Sequence, residues 1–583
     1  MVKRNRSAPG PGAMPRKSTS DCMAAQPRTA TRRRPTPHRR RPGSTAADPA
    51  EQTVDVRGGD GPDRGPRPRD PGPLPRQWSA PGESPMSSTA RLSPLRRGRS
   101  VAVVAAVSAL AVLAGACGAR GGEHITDGAE MNGTPQGGAA ATAPADDGAA
   151  VDSPDFGTVK APCGKGDAKV ADGEQQGGAD TIQIGVPNDR GATIRPGLQK
   201  PIWDASVAFA AWCNAQGGIG GLKIELIDMD GKLFEVEAAM QKACGNAFAL
   251  VGGGNVQDDL QFSGKDGSDF HRCKLIDIPA FAVSSAKSMS NGQVQPIPNP
   301  TNTISNTWFR DFFALYPDQA AKWAPVWGNL PSLKIVKTKQ EAIIPDVKGM
   351  SQVGDFNYPP IGTTDWTPLA LSVIDSGATS LSWTGESPDI AKLLEKLKDQ
   401  GWKGRALLET NQYDKLFIES GSPKALDGSL VRMAPHMLEE ADKWPAVRKY
   451  LDLIDQYVDG GEVAVLGMQS MSAWLLFVTA ANKCAADNGG EISRNCIMET
   501  AAATSDWTGG GLHAPQDPDE GPTMKASTCS MLVMVKDGKF VRRYPEIGGE
   551  GDDGDGFHCP ADGLTKVTAD VGEGNVDPSR PPY

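Results

Sequence analysis

From about residue 180, short apolar runs alternate with longer stretches in which apolar residues recur at helical spacing. The runs are typical of buried strands and the longer stretches of amphipathic helices. Strands that alternate with helices predict βαβ units, with parallel sheets covered by helices on both faces. The fold class we predict is therefore α/β. The predicted strands are TIQIGVPN, LKIELIDMDG, FALVGGGN and IPAFAVSS, and the predicted helices are QKPIWDASVAFAAWCNAQGG, with a stop signal at Gly217-Gly218, and LFEVEAAMQKACGNA.

The same alternation resumes after residue 320 and predicts a second α/β block. WAPVWGN and RALLETN are typical of strands, and SPDIAKLLEKLKDQGW has the apolar spacing of an amphipathic helix. Near the end of the chain, CSMLVMVKDGKFVRRYPEIGG predicts a β-hairpin that turns at Asp537-Gly538. In open α/β sheets, ligands bind beyond the carboxyl ends of the strands. The loops that follow the predicted strands are therefore candidate binding loops.

The first hundred residues differ from the rest in charge and composition. They carry 21 Lys and Arg against 8 Asp and Glu, a net charge of +13, whereas the whole chain has a net charge of −9 and the remainder therefore −22. This Pro- and Arg-rich segment cannot bury enough apolar surface to fold. One interpretation is a basic arm that binds nucleic acid or anionic surfaces, and a second is a disordered segment without a role. In the third, translation starts at Met86 and residues 1–85 are a spurious head. We favour the last interpretation.

Residues 86–116 have the pattern of a secretory signal peptide. A cluster of arginines precedes the apolar run VAVVAAVSALAVLAGA, and Cys117 follows it directly. Leu113-Ala114-Gly115-Ala116 resembles a bacterial lipobox, so we expect a lipid anchor on Cys117, although Ala114-Gly115-Ala116 also suits ordinary secretion. Residues 117–178 are rich in Gly and Ala and predict a flexible tether.

Eight further cysteines follow Cys117, and an even number in an exported chain favours four disulfides. Cys484 and Cys496 flank a short polar loop and are our first choice of pair, and Cys244 with Cys273 is our second. Zinc is less favoured because the sequence has no CxxC and no pair of His residues at ligand spacing. The cysteines left to pair are Cys163, Cys213, Cys529 and Cys559.

The acidic body argues against nucleic acid as a partner, and the motifs of several enzyme classes are absent from the sequence. It contains no P-loop, GxSxG or HExxH motif, and its six histidines are widely spaced. We therefore expect no catalysis, cofactor or metal. EGDDGDG lacks the pattern of an EF-hand and predicts an acidic surface loop. It lies in a Gly-rich acidic tail, 546–583, which we expect Cys559 to hold.

The order of these segments resembles the type I periplasmic binding proteins, in particular the branched-chain amino-acid-binding family of ABC transporters and its lipid-anchored actinobacterial members. TIQIGV followed by ASVAFAAWCNAQGGIGGLKIELIDMD is similar to the family's opening, and DWTPLALSVIDSGATSLSWTGESPDIAKLLEKLKDQGW to its second lobe. The resemblance implies two Rossmann-like lobes over 179–545, joined by a hinge of three segments. Lobe 1 would comprise 180–315 and 445–482, and lobe 2 would comprise 320–440 and 483–545.

The resemblance also implies candidate ligand-binding residues in the loops. The backbone around Gly254-Asn255 and the hydroxyls of Ser284 and Ser285 could bind a ligand carboxylate. Alternatively, the glycines and Asn255 could form a tight turn and the two serines a helix cap. The two tryptophans could stack on ligand or pack between helix and sheet, and the remaining polar side chains could contact ligand or solvent. An acidic partner for a ligand ammonium is expected near Glu409. The candidates are Gly254, Asn255, Ser284, Ser285, Trp327, Trp383, Glu386, Asn411 and Tyr413.

The function that these features predict is binding rather than catalysis. We expect an extracytoplasmic lipoprotein, monomeric and anchored to the outer face of the cell membrane, that captures a small molecule and delivers it to the permease of an ABC importer. A ligand sensor of the same fold, or an exported enzyme, are the alternatives.

Overall fold

The computed structural model describes residues 153–174, 176–260 and 268–580. All of them belong to the second of two compact units, 133–583. The predicted head (1–85), the signal peptide (86–116) and the lipid anchor at Cys117 lie outside the described residues.

The described residues form two lobes built from alternating strands and helices. The strands are β1 Lys169–Val170, β2 Thr181–Asn188, β3 Lys223–Asp230, β4 Ala249–Val251, β5 Asp277–Ile278, β6 Thr303–Ser305, β7 Lys322–Gly328, β8 Ser351–Gln352, β9 Phe356–Tyr358, β10 Ser380–Thr384, β11 Arg405–Leu408, β12 Leu430–Met433, β13 Glu491–Ile492, β14 Met531–Lys536, β15 Lys539–Tyr544 and β16 Leu564–Lys566. The helices are α1 Lys200–Gln216, α2 Val236–Cys244, α3 Asp269–Arg272, α4 Ser285–Ser288, α5 Thr307–Leu315, α6 Pro317–Ala320, α7 Pro331–Ile343, α8 Thr367–Asp375, α9 Ser387–Asp399, α10 Lys415–Glu419, α11 Pro423–Leu426, α12 Pro445–Tyr457, α13 Val465–Asp487 and α14 Arg494–Ala502.

Lobe 1 has a parallel sheet in the order β3-β2-β4-β5. Side chains of a strand point alternately to the two faces, so Ile182, Ile184 and Val186 pack in the core formed with α1, α12, α13 and α14. The other face packs against α2 and α3 through a second cluster that includes Met240 and Phe270. The predicted strand IPAFAVSS forms only in part: β5 ends before Pro279, which has no N–H for the ladder.

Lobe 2 has a larger sheet in the order β15-β14-β12-β11-β10-β7-β8, and β9 also pairs with β7. The strands from β12 to β8 are parallel, whereas β14 and β15 form the predicted hairpin and pair antiparallel. Asp537 and Gly538 both have positive φ (52° and 72°), which a tight hairpin turn requires. Helices α8 and α9 cover one face of the sheet, and α5 and α7 cover the other.

The lobe boundaries differ from the prediction in one segment. We assigned 483–545 to lobe 2, but Ile492, Ile497, Met498 and Leu512 are all buried in the lobe 1 core. The reason is that α14 packs against α13, to which the Cys484–Cys496 disulfide ties it. Only the hairpin β14–β15 from this range joins the lobe 2 sheet.

The predicted tether is also shorter than expected at its C-terminal end. Phe156 is fully buried against Trp212, Cys163 forms a disulfide with Cys213, and β1 pairs with β13. Residues 153–170 are therefore part of lobe 1 and not of a flexible segment.

All four disulfides that the cysteine count favours are present. The predicted pairs Cys484–Cys496 and Cys244–Cys273 are confirmed, and the other two are Cys163–Cys213 and Cys529–Cys559.

Three segments of the chain connect the lobes, as the fold predicts. The first runs from α4 to α5, the second from β12 to α12, and the third from α14 to β14. The second and third are hydrogen-bonded to each other, from His436 N to Leu512 O at 2.9 Å and from Ala514 N to Ala434 O at 3.0 Å.

The acidic tail makes a fourth connection that the sequence did not predict. We call residues 559–580 the C-terminal strap. Cys559 ties it to Cys529 beside β14 of lobe 2, and β16 then pairs with β6 in the first connecting segment. Further along, Asn575 O accepts from Ser290 Oγ at 2.7 Å, and Arg580 donates to Leu275 O at 2.7 Å. The strap therefore runs from lobe 2 across the hinge to lobe 1.

Candidate functional site

Loops at the carboxyl ends of strands in the two lobes approach each other, and one ion pair joins them; we call the space between the lobes at this place the cleft. Arg195 lies in the loop after β2 of lobe 1, and Glu386 lies in the loop after β10 of lobe 2. Arg195 Nε and Glu386 Oε2 are 3.3 Å apart, and both side chains are half-buried. The two lobes thus meet where the fold places a ligand.

Acidic side chains surround Arg195. Asp414 follows β11, and Glu462 precedes α13; both lie close enough to Arg195 for its charge to lower their pKa values. Burial nevertheless raises the pKa of Asp414 and that of Glu462. Burial also raises the pKa of Glu386 to about 7, and Arg195 only partly opposes this shift. We call Arg195, Glu386, Asp414 and Glu462 the cleft cluster.

On the lobe 1 side, one buried carboxylate organises the binding loops. Asp189 is fully buried and accepts hydrogen bonds from Leu233 N at 2.9 Å, Asn255 Nδ2 at 3.0 Å and Val256 N at 2.8 Å. It thereby joins the loops that follow β2, β3 and β4. Asn255 also donates to Asn188 O at 2.9 Å, so this predicted ligand residue acts as a link between loops.

The other lobe 1 candidates also have partners within the protein. Gly254 packs so tightly on Phe281 that an added Cβ would lie 2.5 Å from its ring. Ser284 caps α4 by accepting from Lys287 N at 3.2 Å. Ser285 is buried; its hydroxyl donates to Val571 O of the C-terminal strap at 2.7 Å and lies 2.8 Å from the Thr301 hydroxyl, from which it can accept. The structure therefore gives these hydroxyls the capping and packing roles that were the alternative interpretation.

The two tryptophans of lobe 2 pack within the lobe. Trp383 is fully buried and stacks on Tyr358 with ring centroids 4.5 Å apart. Trp327 is 7% exposed and donates from Nε1 to Asp355 Oδ1 at 2.8 Å. Both therefore take the packing role that we considered beside ligand stacking.

The loop after β11 contributes polar groups next to Glu386. Asn411 Nδ2 donates to Gly385 O at 3.1 Å, and Gln412 Nε2 donates to the same oxygen at 2.7 Å. Tyr413 is buried, and its hydroxyl accepts from Leu438 N at 2.7 Å and contacts the Glu439 carboxylate. Tyr413 is thus a core residue, whereas Asn411 lies at the cleft.

Glu409, near which an acidic partner for a ligand ammonium was expected, is already paired within lobe 2. Its carboxylate accepts from Gln340 Nε2 and from Arg432 Nε, both at 2.6 Å. These partners neutralise and bury the charge, so Glu409 is not placed to bind a ligand cation.

Sequence reasoning missed several residues of the cleft. Arg195 and Glu462 follow no predicted strand directly and carry no motif, so only the fold brings Arg195 to Glu386 and Glu462 close to Arg195. Asp189, Gln412 and Asp414 lie in loops after predicted strands, and their position there was the available signal.

Within the described residues, no group of three or more His, Cys, Asp or Glu side chains could hold a metal ion. In the same residues no helix combines the length and the hydropathy that a membrane span requires.

Comparison with known proteins supports the fold. Residues 341–539 match a family model described as a periplasmic binding protein. An extracellular ligand-binding receptor from Rhodopseudomonas palustris HaA2 has a TM-score of 0.51 and 15% identity, covering 62% of this chain and 99% of that one. A fatty acid ABC transporter substrate-binding protein from Thermomonospora curvata has a TM-score of 0.51 and 14% identity, covering 64% and 95%.

A branched-chain amino acid transporter substrate-binding protein from Streptococcus pneumoniae has a TM-score of 0.49 and 14% identity, covering 62% of this chain and 100% of that one. No curated protein is similar in sequence at a significant level. The chain has an α/β fold of the type I periplasmic binding proteins, and its residues 341–539 carry the sequence pattern of such a protein.

Proposed function

We propose that this protein is an extracytoplasmic solute-binding protein that captures a small molecule between its lobes and delivers it to the permease of an ABC importer. The observation that carries the proposal is the cleft at the carboxyl ends of the parallel strands of both lobes, where Arg195 of lobe 1 meets Glu386 of lobe 2. A ligand bound there contacts both lobes, so it favours the closed arrangement over the open one.

Location outside the cytoplasm and anchoring are part of the same proposal. Four disulfides suit an oxidising compartment, because cytosolic thiols are kept reduced. The signal-peptide pattern over 86–116 and the lipobox-like residues before Cys117 support lipidation of Cys117 and attachment to the outer face of the membrane. The protein would act there as a monomer.

Thermal-shift screening of the full chain with amino acids, fatty acids, amines and dicarboxylates tests the binding function. At least one class should raise the melting temperature, since a ligand that binds only the folded state stabilises it. The bound compound should be recovered unchanged, and small-angle scattering should show a smaller radius of gyration as the lobes close. Stabilisation by none of these classes, or conversion of the compound during incubation, would contradict the proposal.

Mass spectrometry of the mature N-terminus tests the anchor. A lipid-modified peptide that begins at Cys117 is the expected product, and Cys117→Ala should release the protein from the membrane fraction. An unmodified peptide beginning at Cys117 would show that the chain is freely secreted.

A further inference from the structure

The charged side chains of the cleft indicate which kind of ligand it binds. In the cleft cluster one guanidinium, that of Arg195, faces three carboxylates, those of Glu386, Asp414 and Glu462. Asp389, on the first turn of α9, also lies within electrostatic range of Arg195 and is paired with Lys392 Nζ at 3.6 Å. The nearby Lys200 donates to Asp204 Oδ2 at 2.5 Å, and its Nζ also lies 3.9 Å from Glu462 Oε1, so Asp204 and Glu462 share one ammonium group. The cleft therefore has an excess of negative charge.

A buried amide gives a second and independent indication. Gln412 is fully buried, and its Nε2 donates to Gly385 O, the carbonyl just before Glu386. This bond fixes the orientation of the amide, because a flipped amide would place two oxygens against each other. Gln412 Oε1 then has no donor among the described residues. A buried acceptor without a donor is costly, so this position favours a ligand that brings an N–H group.

The geometry points to a small organic cation with N–H donors, an amine or a guanidine, as the ligand of the cleft, with its charged group on Glu386 and an N–H on Gln412 Oε1. This inference rests on the proposed function and specifies its ligand class. In the structure, Arg195 is paired with Glu386 as an internal counter-ion. The incoming cation replaces Arg195 there, and Asp414 and Glu462 retain the displaced guanidinium.

An anionic ligand fits the same residues less well. A carboxylate bound to Arg195 would have to displace Glu386 and would then lie near Asp414 and Glu462, whose like charges repel it. It would also leave Gln412 Oε1 without a donor.

Isothermal titration calorimetry of the full chain with four probes tests the inference: agmatine as the cation, leucine as the zwitterion, glutarate as the dianion and laurate as the fatty acid. Agmatine should bind most tightly. Glu386→Gln and Asp414→Asn should each weaken agmatine binding about tenfold or more, as expected for a charge-assisted contact. Asp399→Asn removes an equal charge from the exposed end of α9 and should leave the affinity unchanged.

Arg195→Gln separates the two ligand classes by the sign of its effect. If the ligand is a cation, removing its internal competitor should strengthen agmatine binding several-fold, and if the ligand is an anion, the same change should abolish binding. Agmatine that does not bind, while leucine, glutarate or laurate does, would overturn the cation assignment and leave the binding function standing. No heat or stabilisation with any of the four probes would count against the binding function itself.

Discussion

At the scale of single residues, Asp189 is the group on which the lobe 1 side of the cleft most depends. Asp189→Ala should lower the free energy of unfolding by about 3 kcal/mol, because the donors of Leu233, Asn255 and Val256 lose their acceptor in a buried site. Urea denaturation measures the change. Asp399→Ala, at an exposed position, should cost under about 0.5 kcal/mol. Equal losses in the two variants would show that Asp189 does not organise the loops.

His436 gives the protein a pH-dependent stability. It is buried and stacked on Trp444, and burial lowers its pKa to about 3, with the charge of Arg542 adding to the effect. A histidine with a depressed folded pKa contributes stability above its unfolded pKa of about 6.5, and this stability is lost as the pH falls towards 3. Between pH 7 and pH 5 the expected loss is about 2 kcal/mol.

His436→Phe isolates this contribution. Phenylalanine keeps the stacking on Trp444 and removes both the titration and the buried Nδ1, which has no partner among the described residues. Urea denaturation at pH 7 and pH 5 should therefore show a fall in unfolding free energy about 2 kcal/mol smaller than in the parent protein. An unchanged fall would mean that other groups cause the acid sensitivity.

At the scale of elements, the disulfides should contribute unequally because they close chain loops of different length. Cys163–Cys213 spans 50 residues and Cys484–Cys496 spans 12. The loss of chain entropy predicts that the longer loop stabilises by about 1 kcal/mol more. Paired Cys→Ala variants of each bridge, compared by urea denaturation, measure this difference. If removal of the 12-residue bridge lowers the unfolding free energy more than removal of the 50-residue bridge, local packing and not chain entropy determines how much each disulfide stabilises the protein.

The elements were more predictable from the sequence than the site. Strand β2 and helix α9 have apolar residues at the period of their structure, and Asp537-Gly538 marks a turn by local chemistry, so each could be assigned without the rest of the chain. The contact of Arg195 with Glu386 joins residues nearly two hundred positions apart. No local pattern encodes such a pair. Ser284 and Trp383 show the converse. Ser284 lies in a loop after β5 and Trp383 near the carboxyl end of β10, where ligand residues are expected, but Ser284 caps α4 and Trp383 stacks on Tyr358.

At the scale of the whole molecule, the C-terminal strap should restrain the motion of the lobes. A chain that lacks residues 569–583 keeps the Cys529–Cys559 bridge and β16 but loses the contacts of Asn575 and Arg580 with lobe 1. Each lost hydrogen bond costs about 1 kcal/mol, so this variant should unfold at least about 2 kcal/mol more easily and show a larger radius of gyration. Removing only 581–583 should change neither quantity. If the longer deletion matches the parent in both, the strap does not hold the lobes together, and the three connecting segments alone set the hinge.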